Sequence, residues 1–394
     1  MAFPLAFAHP DAERSPSMQL RLVEGLHWRH FPAASQVLAV FYAPGNLPLP
    51  RLPHFKTTAS LGCGRLLINP GNLNFYQDCI ENVESVVAHV ASGYDRVIHY
   101  GGSAGGYAAL RFGTAAPKTQ AIFALSPFFD LNSPCTRSAE QRLVSSANRS
   151  DLSVFGRVLE VAGIDIFAYI SCLDITDGAQ VESAERIPRG KIRLHCLLDN
   201  HALPTVNQPA RLIADYLATN AVAPPPYHLL ATERDRADAI LAYRQFVAEC
   251  QNAPFDELEP SRVSESRIYS LPYAYGRRLS IAGRHLEALS RFVEAVGKAR
   301  ARGMDEYELL VCAGNSATCF GWHEIALGFY REARAYGAGR GAAYVCEGHV
   351  LAALGRTDEL VALAAAARRF CDEADAIRDV EAAASPASER RLAM

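Results

Sequence analysis

Serine is a poor nucleophile unless its surroundings activate it. The run His99-Tyr-Gly-Gly-Ser-Ala-Gly-Gly-Tyr-Ala-Ala-Leu110 offers Ser103 such surroundings. Gly101-Gly102-Ser103-Ala104-Gly105 is a G-x-S-x-G. A strand-like run (RVIHY) precedes it and a helix-like run (AGGYAALRFG) follows, which is the context of a nucleophile elbow. The serine of such an elbow sits in a strained turn. A β-carbon at Gly101 or Gly105 would collide with neighbouring backbone. Phosphate binding is the competing use of a glycine-rich strand–helix junction. Here the lysine of G-x-x-x-x-G-K-[ST] is missing and the G-x-G-x-x-G spacing fails.

A serine of this kind needs a base and an acid, which follow it in the order acid, then histidine. Of the histidines after Ser103, His285, His323 and His349 fall in a helical region. His195 lies inside an apolar run and His228 begins another. His201, in the polar loop Leu198-Asp-Asn-His-Ala-Leu-Pro204, is the expected base. The acid is expected after the preceding strand, in Leu173-Asp-Ile-Thr-Asp-Gly178. Asp174 is nearest the strand end and is slightly favoured over Asp177, whose bland role is a helix cap. Asp130 is a third candidate, and Asp199 reads as a turn former. An oxyanion hole needs two backbone N–H groups. One is expected from Ala104. The other is expected from Ala43-Pro-Gly-Asn46, where Pro44 has no N–H, so Ala43 and Gly45 are the choices.

These residues require a scaffold. Gln36–Tyr42, Arg65–Asn69, Arg96–Tyr100, Ala121–Leu125, Ile166–Cys172 and Ile192–Leu198 read as buried strands. Amphipathic stretches such as Tyr76–Ala91, Ala104–Ala116 and Asn207–Ala218 lie between them. Strands alternating with helices predict a mainly parallel sheet with helices on both faces. Met18–Phe31 is expected to add antiparallel edge strands, and 129–164 an inserted cap or lid. Residues 1–230 would form this first domain, and 231–270 a linker with a helix over Ala231–Gln251.

From residue 271 to 394 no strand pattern appears, and alanine-rich helical periodicity takes over. Gly276, Leu279, Gly283, Ala288, Phe292 and Ala295 recur as Gly314, Ala317, Gly321, Ala326, Tyr330 and Ala333. They recur again as Gly348, Leu351, Gly355, Leu360, Ala364 and Ala367. The spacing resembles tetratricopeptide repeats, two antiparallel helices per unit, in which small residues let helices approach and an aromatic fills the gap. The third unit is degenerate in its second helix.

With these residues in place, positions 35–220 resemble the α/β-hydrolase superfamily. YGGSAGGYAAL is similar to the YGxSMGGYAAL elbow of bacterial hydrolase-like proteins associated with surface-polysaccharide genes, with Ala104 in place of methionine. That resemblance implies an aromatic pair after an early strand, matched by Phe75 and Tyr76, with Tyr76 near the substrate. It also fits the helical repeats, which several of those proteins carry. It implies an α/β-hydrolase fold followed by an all-α repeat domain.

Composition sets the outer limits. Charged residues make up 21% of the 394, and 39 basic against 42 acidic side chains leave no positive field for nucleic acid or an anionic membrane. No apolar run is long enough to span a bilayer. The start lacks a basic n-region of a signal peptide, and ten cysteines without a CxxC pair read as reduced thiols in the cytoplasm. No metal or cofactor is expected; His27 and His30 have an HxxH spacing but lie in an apparent strand. The expected function is a serine hydrolase or acyltransferase on an ester or thioester, with a small-molecule or saccharide acyl ester as substrate. The alternative is a catalytically weak hydrolase-fold scaffold whose repeats hold a partner protein.

Overall fold

The computed structural model describes residues 20–23, 26–44, 47, 49, 51–71, 75–131, 153–188, 190–199, 201–203, 206–252 and 270–385. Most of the expected cap (132–152), Gly45 and most of the 231–270 linker beyond Asn252 lie outside these residues.

Eight strands form one sheet: β1 Leu20–Val23, β2 Leu26–Phe31, β3 Val37–Tyr42, β4 Gly64–Asn69, β5 Arg96–Gly102, β6 Thr119–Leu125, β7 Asp165–Ser171 and β8 Arg193–Leu197. Their spatial order is β1-β2-β4-β3-β5-β6-β7-β8. The β1–β2 and β2–β4 pairs are antiparallel and every other pair is parallel. The expected edge strands and parallel core are therefore present.

Among the described residues this half carries six α-helices: α1 Ile80–Ala91, α2 Ala104–Ala115, α3 Phe155–Glu160, α4 Ile175–Glu185, α5 Pro209–Thr219 and α6 Glu233–Asn252. Alternate strand residues face opposite sides, as a pleated sheet requires. Leu38, Val40, Tyr42, Ile122, Ala124 and Ile170 pack beneath the helices α1, α2 and α4. Phe41, Tyr100, Phe123, Phe167 and Tyr169 pack on the other face with Leu212, Ile213 and Tyr216 of α5.

The second half is helical: α7 Ser270–Ile281, α8 His285–Arg300, α9 Tyr307–Cys319, α10 His323–Tyr336, α11 Ala342–Ala353, α12 Thr357–Phe370 and α13 Ala374–Ala383. The predicted register is visible in its turns. Gly283, Gly321 and Gly355 take φ of 77°, 85° and 65°. The residue after each glycine donates its N–H to Leu279, Ala317 and Leu351 respectively, at 2.9, 2.8 and 3.0 Å. That six-to-one bond with a left-handed glycine is a Schellman cap, repeated three times. The third unit forms its second helix, α12, despite Ala364 standing where Phe292 and Tyr330 stand in the others.

The two halves touch. Ala239, Ala242, Tyr243 and Phe246 of α6, with Leu271 and Tyr275 of α7, join the same core as Val181 and Ala184 of α4.

Candidate active site

The site forms where β5, β6, β7 and β8 end. Ser103 follows β5 directly and caps α2 with φ 55° and ψ −120°, a conformation that costs an L-residue about 1–3 kcal/mol. Its neighbours enforce this. A β-carbon on Gly101 would lie 2.0 Å from the Gly105 carbonyl oxygen, and one on Gly105 would lie 2.5 Å from that of Tyr42. On Gly106 it would lie 2.9 Å from Leu125 O. The Ser103 N–H donates to that same Leu125 carbonyl at 2.8 Å, tying the elbow to the end of β6. Ser103 is half-buried. Ala104 is the first residue of α2, where backbone N–H groups have no intrahelical acceptor.

His201 stands in the loop after β8. Its Nδ1 lies 2.9 Å from Asp177 Oδ1, in the first turn of α4. Asp177 is fully buried, whereas the His201 side chain keeps 14% exposure. An Nδ1–H donated to the carboxylate makes Nε2 the basic nitrogen. Burial, with the charge of Asp174, holds the Asp177 carboxyl above its ordinary range, and His201 and Ser126 offset part of that rise. Ser126 Oγ lies 3.0 Å from Asp177 Oδ2 and 2.8 Å from the His201 carbonyl oxygen. Its one proton serves either acceptor, so Ser126 links Asp177 to the His201 backbone from the end of β6. Phe128 sets its ring 6.4 Å from the imidazole. Phe75 packs edge-on against Phe128 at 5.0 Å.

The preference for Asp174 over Asp177 is not what the geometry gives. Asp174 precedes α4, and its N–H donates to Ser171 Oγ at 3.0 Å. Its carboxylate stands with the Asp177 carboxylate and the His201 imidazole in a cluster whose ligand atoms lie within 4.8 Å of one another. Asp177, one helical turn on, makes the contact with the imidazole. The three could reach a common cation, but Asp177 Oδ1 and His201 Nδ1 already face each other at hydrogen-bond distance.

Two other expected residues sit differently. The Ala43 N–H donates to Ile68 O at 2.9 Å, because the parallel pairing of β3 with β4 runs one residue past the strand. That donor is spent and does not serve an oxyanion. Tyr76 is fully buried beside Tyr42 and Phe112, and its hydroxyl donates to Ala43 O at 2.9 Å. It holds the turn after β3 rather than lining open space.

The remaining candidates stand apart. Asp130 forms an isolated bridge with Ser153. The Asp199 carbonyl accepts from Ser171 Oγ at 2.5 Å. His195 stacks on Tyr169 at 5.1 Å, and burial lowers its pKa. Ser126 and Ser171 escaped the sequence reading. Their only signal is a serine within two residues of the C-terminal end of a strand.

No protein-family model and no curated protein sequence matches the chain. Solved structures align with parts of the chain at low identity and low TM-score. One is the capsule O-acetyltransferase of Neisseria meningitidis serogroup A, 10% identical over 53% of this chain and 96% of that one, with a TM-score of 0.38. Another is an acetyl xylan esterase from Paenibacillus sp. R4, 14% identical over 53% and 90%, TM-score 0.39. A TPR protein with an unusual peptide-binding site is 22% identical over 30% of this chain and 60% of its own, TM-score 0.25. The fold assignment rests on strand order, elbow and repeat register rather than on these scores. Among the described residues no helix is long and apolar enough to cross a membrane. The chain has the α/β-hydrolase fold, followed by tetratricopeptide-like helical repeats.

Proposed function

We propose that the protein is a serine hydrolase or acyltransferase acting on an ester or thioester acyl group through Ser103, His201 and Asp177. The observation that carries this reading is the buried Asp177–His201 pair at 2.9 Å, at the same sheet edge as the strained Ser103 elbow. Ser103 Oγ attacks the acyl carbonyl carbon while its proton passes to His201 Nε2. The Ala104 N–H at the head of α2 meets the oxyanion. The carbon–oxygen or carbon–sulfur bond then breaks, and His201 returns the proton to the leaving group. Water, or another hydroxyl, adds to the acyl-serine with His201 again taking the proton, and Ser103 is released. Asp177 holds the imidazole tautomer and stabilises the imidazolium.

The similarity of the elbow to those of polysaccharide-associated proteins favours an acylated saccharide, including a surface-polysaccharide intermediate, as substrate. The described cysteines are all free thiols, which suits the cytoplasm. The domain limits 1–230, 231–270 and 271–394 remain part of this proposal, with a protein partner on the repeats. Labelling with a fluorophosphonate probe tests the chemistry. Labelling lost in Ser103→Ala supports the enzyme. A folded wild-type chain that takes no label and still binds a partner through its repeats would favour the scaffold.

A further inference from the structure

Asp177 belongs to the first turn of α4, so its position depends on what holds the start of that helix. The first N–H groups of a helix lack intrahelical acceptors and are usually met by a nearby side chain. Here the acceptor comes from 95 positions downstream. The Ile175 N–H donates to Ser270 Oγ at 2.5 Å, and Ser270 Oγ donates to Leu173 O at 3.0 Å. Ser270 is the first residue of α7 and is buried. One hydroxyl thus staples both sides of Asp174.

The same segment is held a second time. Leu173 is buried not in the sheet core but among Ala295, Val296, Ala299, Tyr307 and Leu310 of α8 and α9. Leu198, three residues before His201, packs against both that cluster and the core of the first half. The acid-bearing and base-bearing loops therefore both rest on the helical repeats.

We infer that Ser270 is a positioning residue for the Asp177–His201 pair, and that the helical repeats complete the active site by fixing the segment Leu173–Ile175. This rests on the reading of Asp177 and His201 as acid and base. A misplacement of about 1 Å in such a pair costs about a hundredfold in rate.

The test uses the full chain with p-nitrophenyl acetate as the probe ester. Ser270→Ala is expected to lower kcat by about tenfold or more with KM within about twofold, since alignment and not binding is lost. Ser270→Thr keeps the hydroxyl and is expected to recover most of it. A second readout needs no turnover: NMR titration of the His201 ring, assigned by its absence in His201→Ala. Asp177 and Asp174 face the imidazole, Ser126 links Asp177 to the His201 carbonyl, and the Cys172 thiol, just after β7, interacts with Asp177. Loosening Asp177 in Ser270→Ala should lower the His201 pKa, and Ser270→Thr should restore it. Leu173→Val, a milder change at the repeat contact, should move both readouts the same way. A folded Ser270→Ala with wild-type kcat and unchanged His201 titration would overturn the inference and leave Ser270 a structural staple. If the wild-type chain takes no fluorophosphonate but the titration still shifts, the coupling stands and the hydrolase reading fails.

Discussion

Gly178 approaches α6 so closely that a β-carbon on it would lie 2.6 Å from the carbonyl oxygen of Ala239 and 2.8 Å from Tyr243 Cβ. Gly178 directly follows Asp177 in α4. The contact therefore bears on how deep Asp177 sits. Gly178→Ala must push α4 off α6, because the opposing atoms are backbone and a β-carbon. It is expected to destabilise the fold by about 1–3 kcal/mol and to lower kcat. Urea unfolding and ester kinetics on one preparation measure both. Unchanged kcat at reduced stability would show that the acid tolerates the shift.

The two carboxylates should separate by function. Asp177→Asn removes the acceptor facing His201 Nδ1 and is expected to cost on the order of 10⁴ in kcat. Asp174→Asn should cost no more than about tenfold, since the bond to His201 Nδ1 comes from Asp177. Steady-state kinetics with an acetate ester decides, and equal losses would contradict the assignment.

Sequence reveals the elbow because its demands are local: a strand, a strained serine, and glycines where a side chain would strike backbone. It reveals the repeats for the same reason, since each turn glycine recurs with its cap. It does not reveal which aspartate meets His201. Asp174 and Asp177 are three residues apart, and the choice turns on the rotation of α4 about its axis. That rotation is fixed by Gly178 against Ala239 and by Ser270 against Ile175, contacts between residues far apart in the chain. Ala43 misleads similarly, because nothing in its own segment tells that β4 claims its N–H.

A buried histidine predicts a pH response of stability. His99 in β5 is enclosed, with Tyr42 Oη 3.0 Å from Nδ1 and Thr119 Oγ1 3.1 Å from Nε2. Burial lowers its pKa from 6.5 to about 3. Between those values the unfolded chain binds a proton that the native state does not, so stability falls as pH falls. His99 should contribute about 1.4 kcal/mol per pH unit across that window. Denaturant titrations from pH 7 to 4 should show this component lost in His99→Gln. An identical slope would mean that His99 is protonated in the fold.

The repeats make a contrast of sign. A β-carbon on Gly314 would lie 2.4 Å from the Tyr330 ring, whereas on Gly348 the nearest atom, of Leu360, is 3.6 Å away. Gly314→Ala is expected to destabilise by about 1–3 kcal/mol through overpacking. Gly348→Ala should stabilise by about 0.5–1 kcal/mol, since alanine favours the helix and meets no obstacle. Thermal unfolding of the two variants gives the sign directly.

The lodging of Leu173 among α8 and α9 also bears on how the chain is made. On the ribosome, the acid and base loops emerge before the helices that seat them. Synthesis proceeds at about 5–20 residues per second, so roughly a hundred further residues take some five to twenty seconds. Through that interval the nascent chain carries Ser103, Asp177 and His201 but not the surface that seats Leu173. The seating of that segment is complete only late in translation, when α8 and α9 clear the exit tunnel and close over that side chain.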